Sequence, residues 1–485
     1  MDRIKALYGT FNKSEIKAFK TYLTAFHSKG ENKPMELLRL MEKKPGITQD
    51  VAAKKLYGDP RSKAFIMMKS RLFEKMTEFL SLSVNPGAAS RRNKEMPYFQ
   101  YLGEYRKNML AAAAMRERKL RSLAEEFLDK SLRMAVKCNN PELEIDVLLR
   151  IRGAQSYAGK NFEQLTRDIR DAMERQERDI SAVWIYNQFL KIHNLRTSRD
   201  HKKIEFLERT IPDLEDSLRQ KYSPRADYYL QMLKIFYHSL CGEYVDCKEA
   251  GANAIAVIEN YPGIRNRQRT ADPYFQLGML ELKFHRYEAA IASMEEALRY
   301  QIPQTRGMFM ISLMQLYAYI FEEDAAKTNA HCEKIDLMLE SPFRKDIEAL
   351  RGLFFYLKSC VCYLEGDYME AWANLQQAHE LSFDKEGWLS GIRVFEIMIL
   401  LDRGNGDLAS QKLENLRKHL SRYTTDPRLD TIYKLLNYQE RTGFRFHPFK
   451  GEEVLLNDLS ERHRWQHIGH EVIRFDDWYR KKRKI

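Results

Sequence analysis

Apolar residues recur along the chain at helical spacing, and short polar, Gly or Pro breaks interrupt them. Asn12 followed by Glu15 reads as a helix start, after which Ile16, Phe19, Leu23 and Phe26 share one face. Leu37, Leu38 and Met41 mark a second helix that ends near Pro45 and Gly46. Thr48 is placed to cap a third, carrying Val51, Ala52 and Leu56. Gly58, Asp59 and Pro60 make a turn, and Phe65, Met68, Leu72, Met76 and Phe79 give one face of a longer helix. These elements predict a small helical domain over 1–85. A cluster of Pro, Gly and Ser predicts a linker over 86–97. From 98 to 220 the pattern continues as helical hairpins. Residues 109–134 favour helix, Asn139, Asn140 and Pro141 break it, and pairs are predicted at 142–178 and 180–220, the second broken near Pro212.

Between 221 and 421 the pattern becomes a succession of helix pairs. The clearest lies at 271–303. Tyr274, Leu277, Leu280 and Phe284 form one apolar stripe, His285 and Arg286 interrupt it, and Ala290, Ile291, Met294, Ala297 and Leu298 resume it. Small residues at Gly278, Ala290 and Ala297 allow two helix backbones to approach closely. A second clear pair turns at Gly366, Asp367 and Tyr368 and continues through Ala371, Leu375 and Ala378. Weaker pairs turn at Gly242 to Tyr244, between Phe321 and Ala325, and at Gly404 to Gly406. Taking Cys247, Ala290, Ala326, Ala371 and Ala409 as equivalent gives spacings of 43, 36, 45 and 38 residues.

The 271–303 stretch resembles a tetratricopeptide repeat, whose pattern runs W-x2-L-G-x2-Y, A-x3-F, A and P over about 34 residues. Tyr274 stands where the pattern has Trp. Leu277 and Gly278 match it, and Ala290, Met294, Ala297 and Pro303 complete it; Glu281 departs from the pattern's Tyr. A thin helix pair cannot shelter its own apolar stripe, so neighbours must stack. The expected fold is therefore all-α: a TPR-like α-solenoid of helical hairpins with a small N-terminal helical domain. Residues 422–452 read as irregular, with aromatic and basic residues interleaved at 443–449. A last helix is predicted from Leu459 to near Tyr479, ahead of a basic end from Arg480 to Lys484.

Composition narrows the function classes. With 31% charged and 44% hydrophobic residues the chain reads as a soluble globular protein. The longest uncharged apolar run, 109–115, is far short of the roughly 20 residues of a membrane span, and the N-terminus lacks a secretory apolar core. Six cysteines without a C-x2-C pair read as reduced thiols, which places the protein in the cytoplasm. The net charge of +12 is uneven. Residues 1–95 hold 20 Lys and Arg against 10 Asp and Glu, and 474–485 hold 6 against 2, so the long middle is nearly neutral.

No phosphate-cradling Gly-rich loop, H-E-x2-H or G-x-S-x-G is present, and no carboxylate pair stands out. No enzyme activity, cofactor or metal is expected. His463, His467 and His470 would share one helical face beside Glu471, but a fourth ligand is missing and Gly469 weakens the helix; a polar face is the expectation. The stretch around residues 48–76 resembles helix-turn-helix and winged-helix modules. That resemblance makes Lys54, Lys55, Arg61, Lys63 and Arg71 candidates for nucleic-acid contact, set against Glu74 and Glu78 on the exposed side.

The tetratricopeptide resemblance implies that the first helix of each pair lines a groove. The candidates are Tyr229, Met232 and Phe236; Phe275, Met279, Leu282 and Lys283; Ile311, Gln315 and Tyr319; Tyr356, Tyr363 and Leu364; and Val394, Met398 and Leu401. The basic lining of family members that hold carboxylate-ended tails is largely missing. Two alternatives stand: an open apolar groove for a protein or peptide, or residues that form core or are covered by the chain's own 444–449. The expected function is a non-enzymatic interaction scaffold binding a protein or peptide. A nucleic-acid-binding regulator that uses the basic N-terminal domain is the alternative. No membrane partner is implied, and the oligomeric state stays open.

Overall fold

The computed structural model describes residues 2–9, 11, 13–25, 32–44, 46–82, 97–154, 162–194, 200–301, 305–322, 324–339, 344–381, 388–423, 426–465 and 471–484. Among them every regular element is a helix. Pro303, His467, His470 and the expected linker up to residue 96 lie outside the described residues. The chain divides into two compact units. One comprises 1–180, 223–225 and 258–266; the other comprises 181–222, 226–257 and 267–485.

The first unit opens with α1 (Asp2–Gly9), α2 (Lys13–Ala25), α3 (Lys33–Lys43), α4 (Gln49–Tyr57) and α5 (Lys63–Leu82). The sequence pattern had no signal for α1. Its Ile4 and Tyr8 join a core with Phe19, Leu37, Leu38, Phe65, Leu72 and Met76, so five short helices share one interior. Thr48 stands at the head of α4 without a side-chain capping bond. Gly58 closes α4 in the left-handed conformation (φ 79°). The hairpin α6 (Pro97–Glu117) and α7 (Arg121–Lys137) follows, then α8 (Pro141–Ala154). Tyr105, Leu128, Ala135 and Val147 form their core.

Two expectations for the next stretch fail. In place of pairs at 142–178 and 180–220 stand α8, one 33-residue helix that runs across the expected boundary, α9 (Phe162–Asn194), and α10 (Asp200–Gln220). Pro212 lies inside α10. An interior proline costs about 3 kcal/mol, but Leu207 and Leu214, buried on either side of it, hold the helix against Phe189 and Leu233.

In the second unit α11 (Pro224–Cys241) and α12 (Tyr244–Asn260) begin a run of hairpins. It continues with α13 (Arg267–Lys283) and α14 (Tyr287–Tyr300), α15 (Arg306–Glu322) and α16 (Ala325–Leu339), α17 (Arg344–Leu364) and α18 (Tyr368–Leu381), and α19 (Trp388–Asp402) and α20 (Gly406–Tyr423). From α13 onward each first helix packs on its own partner and on the first helix of the next pair, which is the stacking of an α-solenoid. Gly242, Gly366 and Gly404 sit at φ 74–84° at equivalent turns; His285 takes that place in the α13–α14 turn, at φ 59°. Asp367 and Asn405 accept hydrogen bonds from the Glu370 and Leu408 amides and cap the second helices. At Gly278 a Cβ would stand 2.8 Å from Met294 Cγ and 3.3 Å from the Ala290 carbonyl, which is why α13 and α14 meet there.

The C-terminal region corrects the sequence reading twice. Residues 427–440 are helical, α21 (Pro427–Glu440), because Asp426 caps them and Leu429, Ile432, Leu435 and Leu436 face the solenoid core. Among the described residues the expected 459–479 helix is not continuous. After α22 (Glu452–Asn457) and a wide turn over Asp458–Arg462, the described residues 463–465 and 471–474 are non-helical, and the last helix is α23 (Phe475–Arg483).

Candidate functional site

The first helices of the later pairs face the chain's own C-terminal segment, 471–483. The Val472 amide donates to the Tyr356 hydroxyl of α17 at 3.4 Å. Trp478 Nε1 donates to the Asp402 carboxylate at the end of α19 (3.0 Å). Tyr363 and Lys482 reach the same carboxylate at 2.5 Å each. Phe475, Trp478 and Tyr479 are buried, spaced to lie on one side of α23. The Trp465 ring lies 5.7 Å from Phe321 and 6.1 Å from His285.

An almost fully enclosed ion cluster fastens this segment. Arg428 of α21 forks onto Glu471 (2.7 and 2.8 Å), reaches Asp476 at 2.7 Å, and donates to the Leu459 and His463 carbonyls. Glu471 also accepts from the Phe475 amide. Burial alone would push the Asp476 carboxyl up, yet Arg428 and Arg474 hold it below its ordinary value. Tyr479 links Gln439 to Glu452, and Glu452 pairs with Arg483. Two cations of the basic end, Lys482 and Arg483, are thus engaged within the fold. The 443–449 aromatics take part as well: Phe446 packs edge-on against Trp478 and Tyr479, and Phe449 stacks on Tyr438 at 3.6 Å.

A cavity of about 600 Å³ stays open beside the segment. Ile320, Phe321, Val361 and Leu364 supply one wall, Ile473 and Trp478 the other, with Glu365, Arg474, Asp477 and Lys481 among its lining. Of the groove candidates, Met232, Phe236, Leu282, Ile311, Gln315, Tyr356, Val394 and Met398 are buried. Tyr229, Phe275, Met279, Tyr319, Tyr363 and Leu401 are half-buried, and Lys283 and Leu364 are exposed. Lys283 donates to the Ser239 carbonyl. Tyr229 and Phe236 belong to a separate core with Phe189 and Leu207. Only Tyr363 and Leu364 of the whole set line the cavity.

The cationic candidates of the first unit lie together on α4, the following turn and α5. Lys54, Lys55, Arg61, Lys63 and Arg71 are all exposed. His463 is half-buried and non-helical. Its carbonyl is taken by Arg428 and Glu471 is committed to that guanidinium, so the expected histidine face is not assembled at His463. Four thiols, Cys138, Cys247, Cys332 and Cys360, are buried, Cys241 is exposed, and Cys362 is between. Burial pushes Cys138, Cys247 and Cys332 up to about 12. Among the described residues no helix is long and apolar enough to cross a membrane.

Arg428, Glu471, Asp476, Asp402 and Trp478 were missed by sequence reasoning. The signal was faint: two acids flanking an aromatic run near the end, and a lone Arg behind Pro427. Arg428 stands 43 and 48 positions from Glu471 and Asp476, and Asp402 76 from Trp478, and no spacing rule reaches that far. In comparison with known proteins, the chain matches no protein-family model and no curated protein.

Proposed function

We propose that this chain is a non-enzymatic, cytoplasmic interaction scaffold whose tetratricopeptide-like solenoid binds a protein or peptide. One observation carries the reading. The face built by α15, α17 and α19 already receives a polypeptide segment through aromatic side chains and a backbone amide, and it keeps an apolar cavity open beside it. A concave, mostly apolar surface with a few polar groups at its edge suits a side chain of a bound segment. The repeat resemblance at 271–303 and 352–381 agrees with the pair-on-pair stacking. A photo-reactive side chain at Leu364 is expected to cross-link one discrete partner in the native host, and Phe321→Arg to abolish it. The same probe at the exposed Leu110 is expected to give none. Equal labelling from both positions, or none from Leu364, removes the reading.

A second reading rests on the five exposed cations of α4, the following turn and α5, with the helix–turn–helix order around Gly58. In it the N-terminal helices contact nucleic-acid phosphates and the solenoid holds a regulatory partner. The full chain would then retard duplex DNA or RNA at low salt and lose it steeply as salt rises. An unretarded duplex at low salt removes it.

A further inference from the structure

The long helix α9 is anchored on one side only. Ala172 and Asp179 are buried, and Arg175 forks onto Glu144 of α8 at 2.7 and 3.1 Å. The opposite side carries Thr166, Arg170, Met173, Glu177 and Ile180 at intervals of 4, 3, 4 and 3, a seam that stays on one face of a helix. Met173 is 56% and Ile180 60% exposed, high for apolar side chains in a regular helix of this length, and a shallow open groove runs along this face. Arg170 and Glu177 are exposed too.

We propose that this face of α9 pairs with the same face of a second copy of the chain, antiparallel, about a two-fold axis passing beside Met173. The charge order singles out that occupant. When the helix is reversed against itself about Met173, Arg170 of each copy falls within one residue, about 1.5 Å along the axis, of Glu177 of the other, so the pair forms twice. Met173 then meets its own symmetry mate, and Ile180 covers Thr166 on both sides. A parallel alignment in register would set Arg170 against Arg170 and Glu177 against Glu177. The stripe is thus self-complementary in the antiparallel of the two isologous, two-fold arrangements. Each ion pair would sit about 5 Å along the axis from the methionine layer, at 1.5 Å per residue. The seam is short beside a standard interface of roughly 800 Å² per partner, so the association is weak and concentration-dependent.

Sedimentation velocity and light scattering on the full chain over a range up to about 0.5 mM test it. A monomer–dimer equilibrium is expected. Arg170→Glu and Glu177→Arg alone each set like charges opposite one another twice and weaken the dimer about tenfold or more. The double reversal, Arg170→Glu with Glu177→Arg, restores opposite pairs and returns the affinity to within about threefold of the parent. Met173→Asp abolishes the dimer. All three positions are exposed, and unchanged circular dichroism excludes unfolding as the cause of any loss. A monomer throughout the range, a dimer indifferent to the single reversals, or a double reversal as weak as the singles overturns the proposal.

Discussion

Arg428 shows what one side chain holds in place here. It is 7% exposed and satisfies two carboxylates and two carbonyls drawn from three stretches of chain. Arg428→Met leaves Glu471 buried without its guanidinium and Asp476 with Arg474 alone, and is expected to cost about 3–5 kcal/mol in denaturant unfolding. Adding Glu471→Gln and Asp476→Asn is expected to recover much of that loss. His331 sets a pH dependence. Its Nε2–H donates to the Ser312 carbonyl at 2.9 Å, and burial drops the ring from the ordinary 6.5 to about 4. Between those values the unfolded chain takes up a proton that the folded chain refuses. The stabilisation is therefore complete above about pH 6.5 and is lost as pH falls toward 4, by up to about 1.4 kcal/mol per unit. His331→Gln is expected to flatten that part of the stability–pH curve, as measured by urea titration at successive pH values.

At the scale of elements, close approaches at glycines decide which helices can touch. Gly278 was legible in the sequence, because it sits in a repeat-like pattern beside Ala290 and Ala297. Gly263 was not. It lies in the short Pro262–Ile264 turn, where a Cβ would fall 1.8 Å from the Lys137 carbonyl at the end of α7. No flexible side chain can yield there. Gly263→Ala is expected to lose about 3 kcal/mol in thermal unfolding, at or above the upper end of ordinary overpacking. Gly58→Ala meets open space and is strained only by its positive φ, so it is expected to lose about 1 kcal/mol. The same scale explains the mistaken helix at 459–479. Its periodic aromatics belong to two faces, Trp465 against Phe321 and α23 against α17 and α19, which no single straight helix could serve at once.

At the scale of the molecule, the solenoid's apolar interior runs on into α21, α22 and α23, so the C-terminal residues complete that core. Ending the chain after residue 465 is expected to lower the unfolding midpoint of the second unit and raise binding of an apolar dye, since Tyr356 loses Val472 and Asp402 loses Trp478 and Lys482. Amide protection in α1–α5 is expected to stay unchanged, because those helices share a core of their own. Monitoring both regions by hydrogen exchange distinguishes this outcome from general unfolding.

Apolar spacing and Gly-centred turns are local properties, and the chain alone carried them: helices throughout, hairpin after hairpin, and the stacking that thin pairs are compelled to adopt. The covering of the groove was decided by tertiary structure. Whether Tyr356 is core or contact depends on where Val472 comes to rest, 116 positions later. The fate of the basic end depends on Asp402 and Glu452 being within reach. Charge and aromatic content report what a segment can bind, while the partner it finds is fixed by contacts between distant stretches, which no periodicity encodes.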